Sequence, residues 1–124
     1  MDFDELIPQG IQPLIIPQKN TYNLAIETNY TPQDGDKFYF TIKTTPDNDY
    51  TDDKALLKKD WTFGTDCEID NEGYLLLPLS ETDTSIDYGK YYYDIKLVTS
   101  GATTGTSVVP IGIVIIAPVT TLRA

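Results

Sequence analysis

One stretch decides the fold of this chain: IDYGKYYYDIKLV, residues 86 to 98. Beyond Gly89, apolar and polar side chains alternate. The members of one face are Tyr91, Tyr93, Ile95 and Leu97. A period of two residues is typical of a strand that buries one of its faces. The stretch therefore predicts a turn that leads into a core strand of an antiparallel sheet.

The turn before this strand resembles the tyrosine corner of immunoglobulin-like β-sandwiches. The residues that carry the resemblance are Asp87, Gly89 and Tyr91. In such a corner the tyrosine hydroxyl bonds to backbone upstream and stabilises the crossover between two sheets. Antibody-type domains place a disulfide cysteine two positions later, where this chain has Tyr93, and Cys67 is its only cysteine. The resemblance implies a sandwich held together by packing alone.

Length and charge narrow the class of protein. The 124 residues fit one domain, and 19 acidic against 9 basic residues give a net charge of −10. Nucleic acids and anionic membranes are bound by cationic surfaces, so neither is expected as a partner.

The N-terminal MDFDE carries acid where a secretory signal carries Lys or Arg, so we expect no export by that route. The apolar run 108 to 119 is too short to span a bilayer and is predicted to be a buried strand.

Residues 1 to 20 are predicted to form an extended, proline-rich aliphatic arm, and residues 21 to 124 the sandwich. Pro8, Pro13 and Pro17 disfavour both a helix and a central strand. The large aliphatic side chains of the arm favour burial on a surface, and we expect them to mediate assembly. They are Leu6, Ile7, Ile11, Leu14, Ile15 and Ile16. The surface that buries them is either the sandwich of the same chain or a neighbouring subunit.

Further strands are predicted by alternation and by apolar runs between turn residues. They lie at residues 21 to 30, 37 to 45, 74 to 79 and 108 to 116, the last with Ile111, Ile113 and Ile115 on one face. Residues 55 to 61 are ambiguous, because Ala, Leu and Lys favour a helix, and a strand is preferred there because the neighbouring segments are strands. Ser80 and Asp83 have the spacing of a capping box, which predicts one helical turn over 80 to 84. The fold expected is an all-β, immunoglobulin-like antiparallel β-sandwich of about seven strands with an extended N-terminal arm.

Catalytic chemistry is sparse in this sequence. The chain has no histidine, which removes the commonest general base and most zinc sites. No glycine-rich phosphate loop follows a strand and opens a helix. Four residues have the alternate spacing of half a calcium loop, without its glycine and closing glutamate: Asp47, Asp49, Thr51 and Asp53. We therefore expect no enzyme, no catalytic or cofactor-binding residues and no metal site, with calcium kept as a minor alternative.

Several motifs, taken in order, resemble the amino-terminal domain of phage baseplate upper proteins. The same resemblance extends to small phage and prophage structural proteins with immunoglobulin-like sandwiches, and it covers about residues 35 to 120. Its pieces are Gly35 to Phe38, Phe40 to Ile42, Ala55 to Lys59, Gly73 before Leu75 to Leu79, Thr82 to Thr84, Gly89 to Leu97 and Pro118 to Thr120. The most specific piece is Gly89 to Ile95, which reads Gly-x-Tyr-Tyr-Tyr-Asp-Ile.

The resemblance implies a non-enzymatic virion structural protein, a baseplate or tail accessory or connector, that acts through protein-protein assembly. Family members often continue into a coiled coil or a receptor-binding module, whereas this chain ends at Ala124, which favours the accessory role. The partners implied are other virion proteins or copies of itself in a homo-oligomer. The places implied are the virion and, during assembly, the bacterial host cytoplasm. The alternative is a carbohydrate-binding or adhesin-like sandwich in which the outward Tyr39 and Tyr92 stack on sugars.

Overall fold

The structure is a computed structural model, and it describes residues 3–27, 30–45, 55–102 and 105–119. These residues contain one 3-10 helix, the N-terminal turn Phe3–Leu6. They also contain eight strands. The strands are β1 (Leu14–Pro17), β2 (Tyr22–Ile26), β3 (Lys37–Lys43), β4 (Leu57–Thr62), β5 (Glu68–Ile69), β6 (Leu75–Leu79), β7 (Gly89–Val98) and β8 (Thr106–Ala117).

The strands form two sheets that pack as a sandwich. The five-stranded sheet has the order β1-β8-β7-β3-β4, and the three-stranded sheet has the order β2-β6-β5. One sheet contains β3, β7 and β8 as neighbours, and the other contains β2, β6 and β5. This is the strand arrangement of the immunoglobulin sandwich. The predicted all-β sandwich is confirmed. Its strands pair antiparallel except for β1, which runs parallel to β8.

The core lies between the inward faces of the two sheets. The alternating apolar positions of β3, β6 and β7 supply half of its buried residues, as their period of two predicts. The Phe40 ring lies 6.2 Å from that of Trp61 and 5.6 Å from that of Tyr93, between centroids. Trp61 Nε1 donates a hydrogen bond of 2.9 Å to the Pro78 carbonyl on the opposite sheet. Trp61 is therefore a core residue that also ties the two sheets together.

The tyrosine corner forms at the start of β7. The Tyr91 hydroxyl donates to the Asp87 carbonyl at 2.6 Å, which joins the strand to the turn that precedes it. Gly89 has a φ of 155°, and a Cβ there would lie 3.6 Å from the Tyr91 hydroxyl oxygen. That distance is an ordinary van der Waals contact, so the backbone angle rather than lack of space favours glycine at this position.

The loop before this corner contains the predicted capping box. Asp83 N donates to the Ser80 hydroxyl at 3.1 Å, and Ser80 N donates to Asp83 Oδ2 at 2.9 Å. This reciprocal pair closes a single turn, because each side chain satisfies a backbone N–H that has no partner at the start of a helix. The Thr84 hydroxyl, which is buried, then bonds to the Asn20 carbonyl at 2.7 Å. The turn thereby holds the chain where it enters β2.

The arm is partly a strand of the domain itself. Leu14–Pro17 forms β1, an edge strand, and Ile16 is only 1% exposed in the core. Ile11 and Leu14 are partly buried against the same core. The predicted division into an arm over residues 1 to 20 and a sandwich over residues 21 to 124 needs correction, because β1 belongs to a sheet of the sandwich. Prolines exclude a central strand but permit an edge strand. Leu6 and Ile15 remain exposed, at 49% and 59%.

The apolar strand β8 is buried on one face only. Its pairing with β7 shifts register on both sides of Ile95, so β8 carries extra residues near Pro110. Because of this bulge, Val109 and Val114 both point inward although an even alternation would place them on opposite faces. Ile111, Ile113 and Ile115 do share a face, but it is the outer one. The expectation of a buried strand over 108 to 119 therefore holds for one face of β8 and not for the other.

Candidate docking surface

The outer face of the five-stranded sheet is defined here as the side chains that point away from the core on β1, β8, β7, β3 and β4. Its β1–β8 end is aliphatic and carries Ile15, Ile111, Ile113 and Ile115. Ile15 and Ile115 are direct partners in the parallel pair, and they are 59% and 37% exposed. Side chains of this kind are usually buried, so a group of them on one face is informative.

The N-terminal turn lies over the neighbouring part of this face. Asp4 Oδ2 accepts a hydrogen bond of 2.7 Å from Lys90 Nζ, and Asp4 Oδ1 accepts one of 2.7 Å from the Tyr92 hydroxyl. Lys90 Nζ also stands 5.6 Å from the centroid of the Tyr92 ring. Lys90 and Tyr92 are both outward residues of β7, so one carboxylate joins the turn to two positions of the strand.

The negative charge of Asp4 is stabilised by the two groups that bond to it. Hydrogen bonds from Lys90 and then from Tyr92 hold the pKa of the Asp4 carboxyl below its usual value. The side chains of Lys90 and Asp4 are 49% and 35% exposed, so solvent screens the ion pair and its contribution to stability is small. The contact positions the turn more than it stabilises the fold, and the exposed Leu6 is thereby held beside β8.

Lysines are concentrated on the same face. Seven lysines lie in the described residues, and five of them point outward from the five-stranded sheet. They are Lys37, Lys43, Lys58, Lys90 and Lys96. No lysine occurs on β2, β5 or β6, the strands of the other sheet. In a chain of net charge −10, the outer face is therefore the more basic side of the sandwich.

A recess of about 430 Å³ opens on the β3–β4 part of the outer face. Tyr39, which is 37% exposed, forms part of its wall together with Thr41. Charged groups of both signs line the rest: Lys58, Lys59, Asp60, Asp94 and Lys96. An aromatic ring beside hydrogen-bonding groups can hold a small polar ligand. Tyr92 does not line this recess, and its hydroxyl bonds to Asp4.

A second recess, of about 600 Å³, lies on the three-stranded sheet beside the turn at residues 63 to 67. Asn23, Leu76 and Pro78 form its floor, and Glu68 stands on its rim. Cys67 lies in its wall but is 7% exposed. Burial, with Asp66 nearby, raises the pKa of the Cys67 thiol to about 11. The thiol is therefore protonated at neutral pH and is a packing residue rather than a nucleophile.

Other predicted site residues are placed as follows. The half calcium loop, from Asp47 to Asp53, lies outside the described residues. Within the part of the chain that the structure describes, no group of three or more metal-ligating side chains occurs. Nor does any helix there have the length and apolarity needed to cross a membrane. Of the six arm residues, Ile16, Ile11 and Leu14 pack on the domain itself, whereas Leu6 and Ile15 face solvent. The sixth, Ile7, is half-buried.

Two parts of this surface were not predicted from the sequence. The contact of Asp4 with Lys90 and Tyr92 joins residues that are far apart in the chain, and no local pattern signals it. The outward direction of Ile111, Ile113 and Ile115 depends on the bulge in β8. Pro110 is the one local sign of that bulge, because a proline inside a strand is found at edges or bulges.

Comparisons with known proteins add no relative. No protein-family model matches the chain. A search of curated proteins finds no match either.

Proposed function

We propose that this protein is a non-enzymatic structural module of a phage or prophage virion, a baseplate or tail accessory or connector that acts by protein-protein assembly. The observation that carries the proposal is the aliphatic end of the outer face, where Ile15 and Ile115 lie side by side in contact with water. Exposed apolar side chains grouped on one face are typical of contact surfaces. The resemblance of Gly89 to Ile95 supports a virion as the place of that contact.

The chemistry of the surface indicates what its partner presents. The aliphatic end favours an apolar segment, and the lysines on the rest of the face favour carboxylates next to it. On this proposal the partner is another virion protein or a further copy of the chain. The protein is then made in the cytoplasm of the bacterial host and ends in the particle.

The proposal is tested by particle incorporation. The variant Ile15→Lys/Ile115→Lys places two charges on exposed positions, so it should fold normally but be lost from purified particles. The control is Tyr74→Lys, which changes an exposed tyrosine next to β6, a strand of the other sheet. Quantitative mass spectrometry of the particles measures both variants. Absence of the unaltered chain from particles would contradict the virion assignment, and normal incorporation of the double variant would contradict the surface.

A second candidate function is carbohydrate binding, and the recess at Tyr39 is the observation that favours it. Tyr39 offers one ring face, and Thr41, Asp60 and Lys96 supply hydrogen-bonding groups around it. On this reading the chain is an adhesin-like module. Binding to a glycan array that is lost in Tyr39→Ala and kept in Tyr88→Ala would support it. An array without signal at high protein concentration would eliminate it.

A further inference from the structure

The two sheets have four edge strands, and three of these are protected against pairing with another chain. β1 contains Pro17 within only four residues. β4 carries Lys58, Lys59 and Asp60 in succession. β5 is two residues long. Proline, charge and short length are the usual ways in which natural proteins prevent edge strands from pairing.

The fourth edge strand, β2, has none of these protections. It reads Tyr-Asn-Leu-Ala-Ile over Tyr22–Ile26, without proline, charge or bulge. All five residues pair with β6 on one side. No strand of the described residues pairs with the other side. The backbone groups on that side are therefore in position to pair with a further strand.

From this edge we infer that β2 of a second copy pairs antiparallel with β2 about a two-fold axis at Leu24, which joins the two three-stranded sheets into one of six strands. The occupant is a second copy because the strand complements itself in this register. Tyr22 lies opposite Ile26 on the core-facing side, and Asn23 lies opposite Ala25 on the other. Each large apolar side chain is thus opposite another one, and the small polar Asn23 is opposite the small Ala25. Such matching is what stable cross-strand pairs require.

The charges next to the strand agree with the same register. Glu27, exposed just beyond β2, lies opposite the uncharged Thr21 of the second copy. No like charges face each other from residue 21 to residue 27. A register shifted by two residues toward the C-terminal end of β2 would move the two-fold axis to Ala25, with Ile26 opposite Leu24 and Glu27 opposite Asn23. Tyr22 would then have no partner within β2. The register centred on Leu24 is therefore the one that pairs all five residues of β2 with each other.

The strength of this contact is limited by its size and by the net charge. One pair of short strands buries less than the roughly 1,000 Å² of a permanent interface, so the dimer should form and dissociate reversibly. Each chain carries a net charge of −10, which opposes association at low ionic strength. We expect dimerisation to strengthen as salt screens this repulsion. A contact made by ion pairs would weaken under the same change.

The first test is sedimentation velocity on the full chain, at concentrations up to about 1 mM and at two salt concentrations. The unaltered chain should show a monomer-dimer equilibrium that shifts to dimer with protein and with salt. Ala25→Lys, an exposed position of β2, should reduce the dimer at least tenfold. Its matched control is Ala102→Lys, an exposed alanine in the loop after β7, which should dimerise normally. Thermal unfolding of both variants checks that they are folded.

The second test is disulfide trapping, which reports the register. A mixture of Asn23→Cys and Ala25→Cys chains should form a crosslinked heterodimer faster than either variant crosslinks alone, because residues 23 and 25 face each other. The buried Cys67, with its raised thiol pKa, is a poor competitor. A chain that stays monomeric at every concentration overturns the inference, as does dimerisation that Ala25→Lys leaves unchanged.

The third measurement is hydrogen exchange. The amides of β2 that face away from β6 should gain protection with rising concentration. If these amides are protected as strongly at high dilution as at high concentration, another part of the same chain already covers the edge. That result also overturns the inference. The β2 edge and the outer face of the five-stranded sheet are separate surfaces. The dimerisation tests can therefore contradict pairing through β2 while the proposed assembly function of the outer face stands, and the reverse also holds.

Discussion

Single side chains stabilise this fold through close, specific contacts. The hydroxyl of Tyr91 completes the corner at the start of β7, at 2.6 Å from the Asp87 carbonyl. Two residues later the ring of Tyr93 takes the space where antibody-type domains place a cysteine. This ring lies over Gly112 on the neighbouring strand, where a Cβ would overlap it. A large and a small residue thus pack together on adjacent strands of one sheet, and one of them occupies the position of that cysteine.

The first prediction concerns the corner. Tyr91→Phe removes one hydrogen bond and leaves the Asp87 carbonyl without that donor, so the free energy of unfolding should fall by about 1 kcal/mol. The control is Tyr88→Phe, since Tyr88 is 67% exposed and close in the chain. Tyr92→Phe is a poor control, because the Tyr92 hydroxyl bonds to Asp4. Urea titrations measure the difference, and equal midpoints for the two variants would contradict the assigned corner.

The second prediction concerns the tyrosine-glycine pair. A Cβ at Gly112 would lie 2.6 Å from Tyr93 Cζ, and Tyr93 is held in the core. Gly112→Ala should therefore lower the free energy of unfolding by about 1–3 kcal/mol through overpacking. At Gly105 the nearest atom is 3.4 Å away, which makes Gly105→Ala the matched control. Thermal melts that are the same for both variants would show that the ring has room to move.

At the scale of elements, short connections hold the strands in place. The turn between β1 and β2 bonds to the loop before β7, where Gln18 Nε2 donates to the Ile86 carbonyl at 2.9 Å. Just before β3, the buried Asp36 accepts two hydrogen bonds. They come from the backbone N–H of Gln33 at 3.0 Å and from that of Ser100 at 2.9 Å. One carboxylate thus joins the loop before β3 to the loop after β7.

The third prediction uses two neighbours on β1. Ile16 is 1% exposed and Ile15 is 59% exposed. Ile16→Ala leaves a cavity in the core and should cost about 2–5 kcal/mol of unfolding free energy. Ile15→Ala should change stability by less than about 0.5 kcal/mol. Chemical denaturation separates the two.

The same reasoning applies to truncation. A chain that begins at Asn20 lacks β1 and should unfold at a lower temperature. If this shortened chain melts like the full one, and Ile16→Ala costs no more than Ile15→Ala, then β1 is not a working part of the core.

The fourth prediction concerns acid. Burial alone would raise the pKa of Asp36, but hydrogen bonds from Gln33, Ser100 and Tyr30 lower it overall. Asp36 therefore contributes stability that is present above its unfolded pKa of about 3.9 and is lost as the pH falls through the lower folded pKa. Asp36→Asn should cost about 2 kcal/mol near pH 7. That difference from the unaltered chain should shrink below about pH 4.

The measurement is a series of urea titrations across this pH range. The control is Asp34→Asn, an exposed carboxylate in the same turn. A penalty for Asp36→Asn that stays constant with pH would mean that the charge of Asp36 does not contribute.

At the scale of the whole molecule, charge and apolar surface are divided unevenly. The outer face of the five-stranded sheet carries both the exposed isoleucines and most of the described lysines. The three-stranded sheet has no lysine and has the unprotected edge β2. Two distinct surfaces, one a face and one an edge, would let a single domain contact two neighbours at once. Such a division is suited to a part of an assembly.

The fifth prediction follows from the net charge of −10. Repulsion among the carboxylates opposes the compact state, so screening should stabilise the monomer. The thermal midpoint of a dilute sample should rise when NaCl goes from about 0.05 M to about 0.5 M. An equal osmolarity of an uncharged solute is the control. A falling midpoint would instead mean that ion pairs such as Lys90 with Asp4 dominate.

The sequence by itself determined the class of fold and the buried face of its central strand. Alternation on β7 predicted that face correctly, and β3 and β6 follow the same rule, because a strand has a fixed period of two and apolar side chains are excluded from water. The corner at Tyr91 and the capping box at Ser80 were equally predictable. Both are formed by residues a few positions apart, so the local sequence contains all of their partners.

Only the tertiary structure decided which surfaces are exposed. The bulge in β8 turned Ile111, Ile113 and Ile115 outward, since one extra residue reverses the face of every residue beyond it. The arm became β1 because the edge of β8 offered backbone partners that lie about 100 residues away along the chain. The contact of Asp4 with Tyr92 and the open edge of β2 depend on the same long-range order. These features need strands to be brought side by side, and no local pattern records which ones will meet.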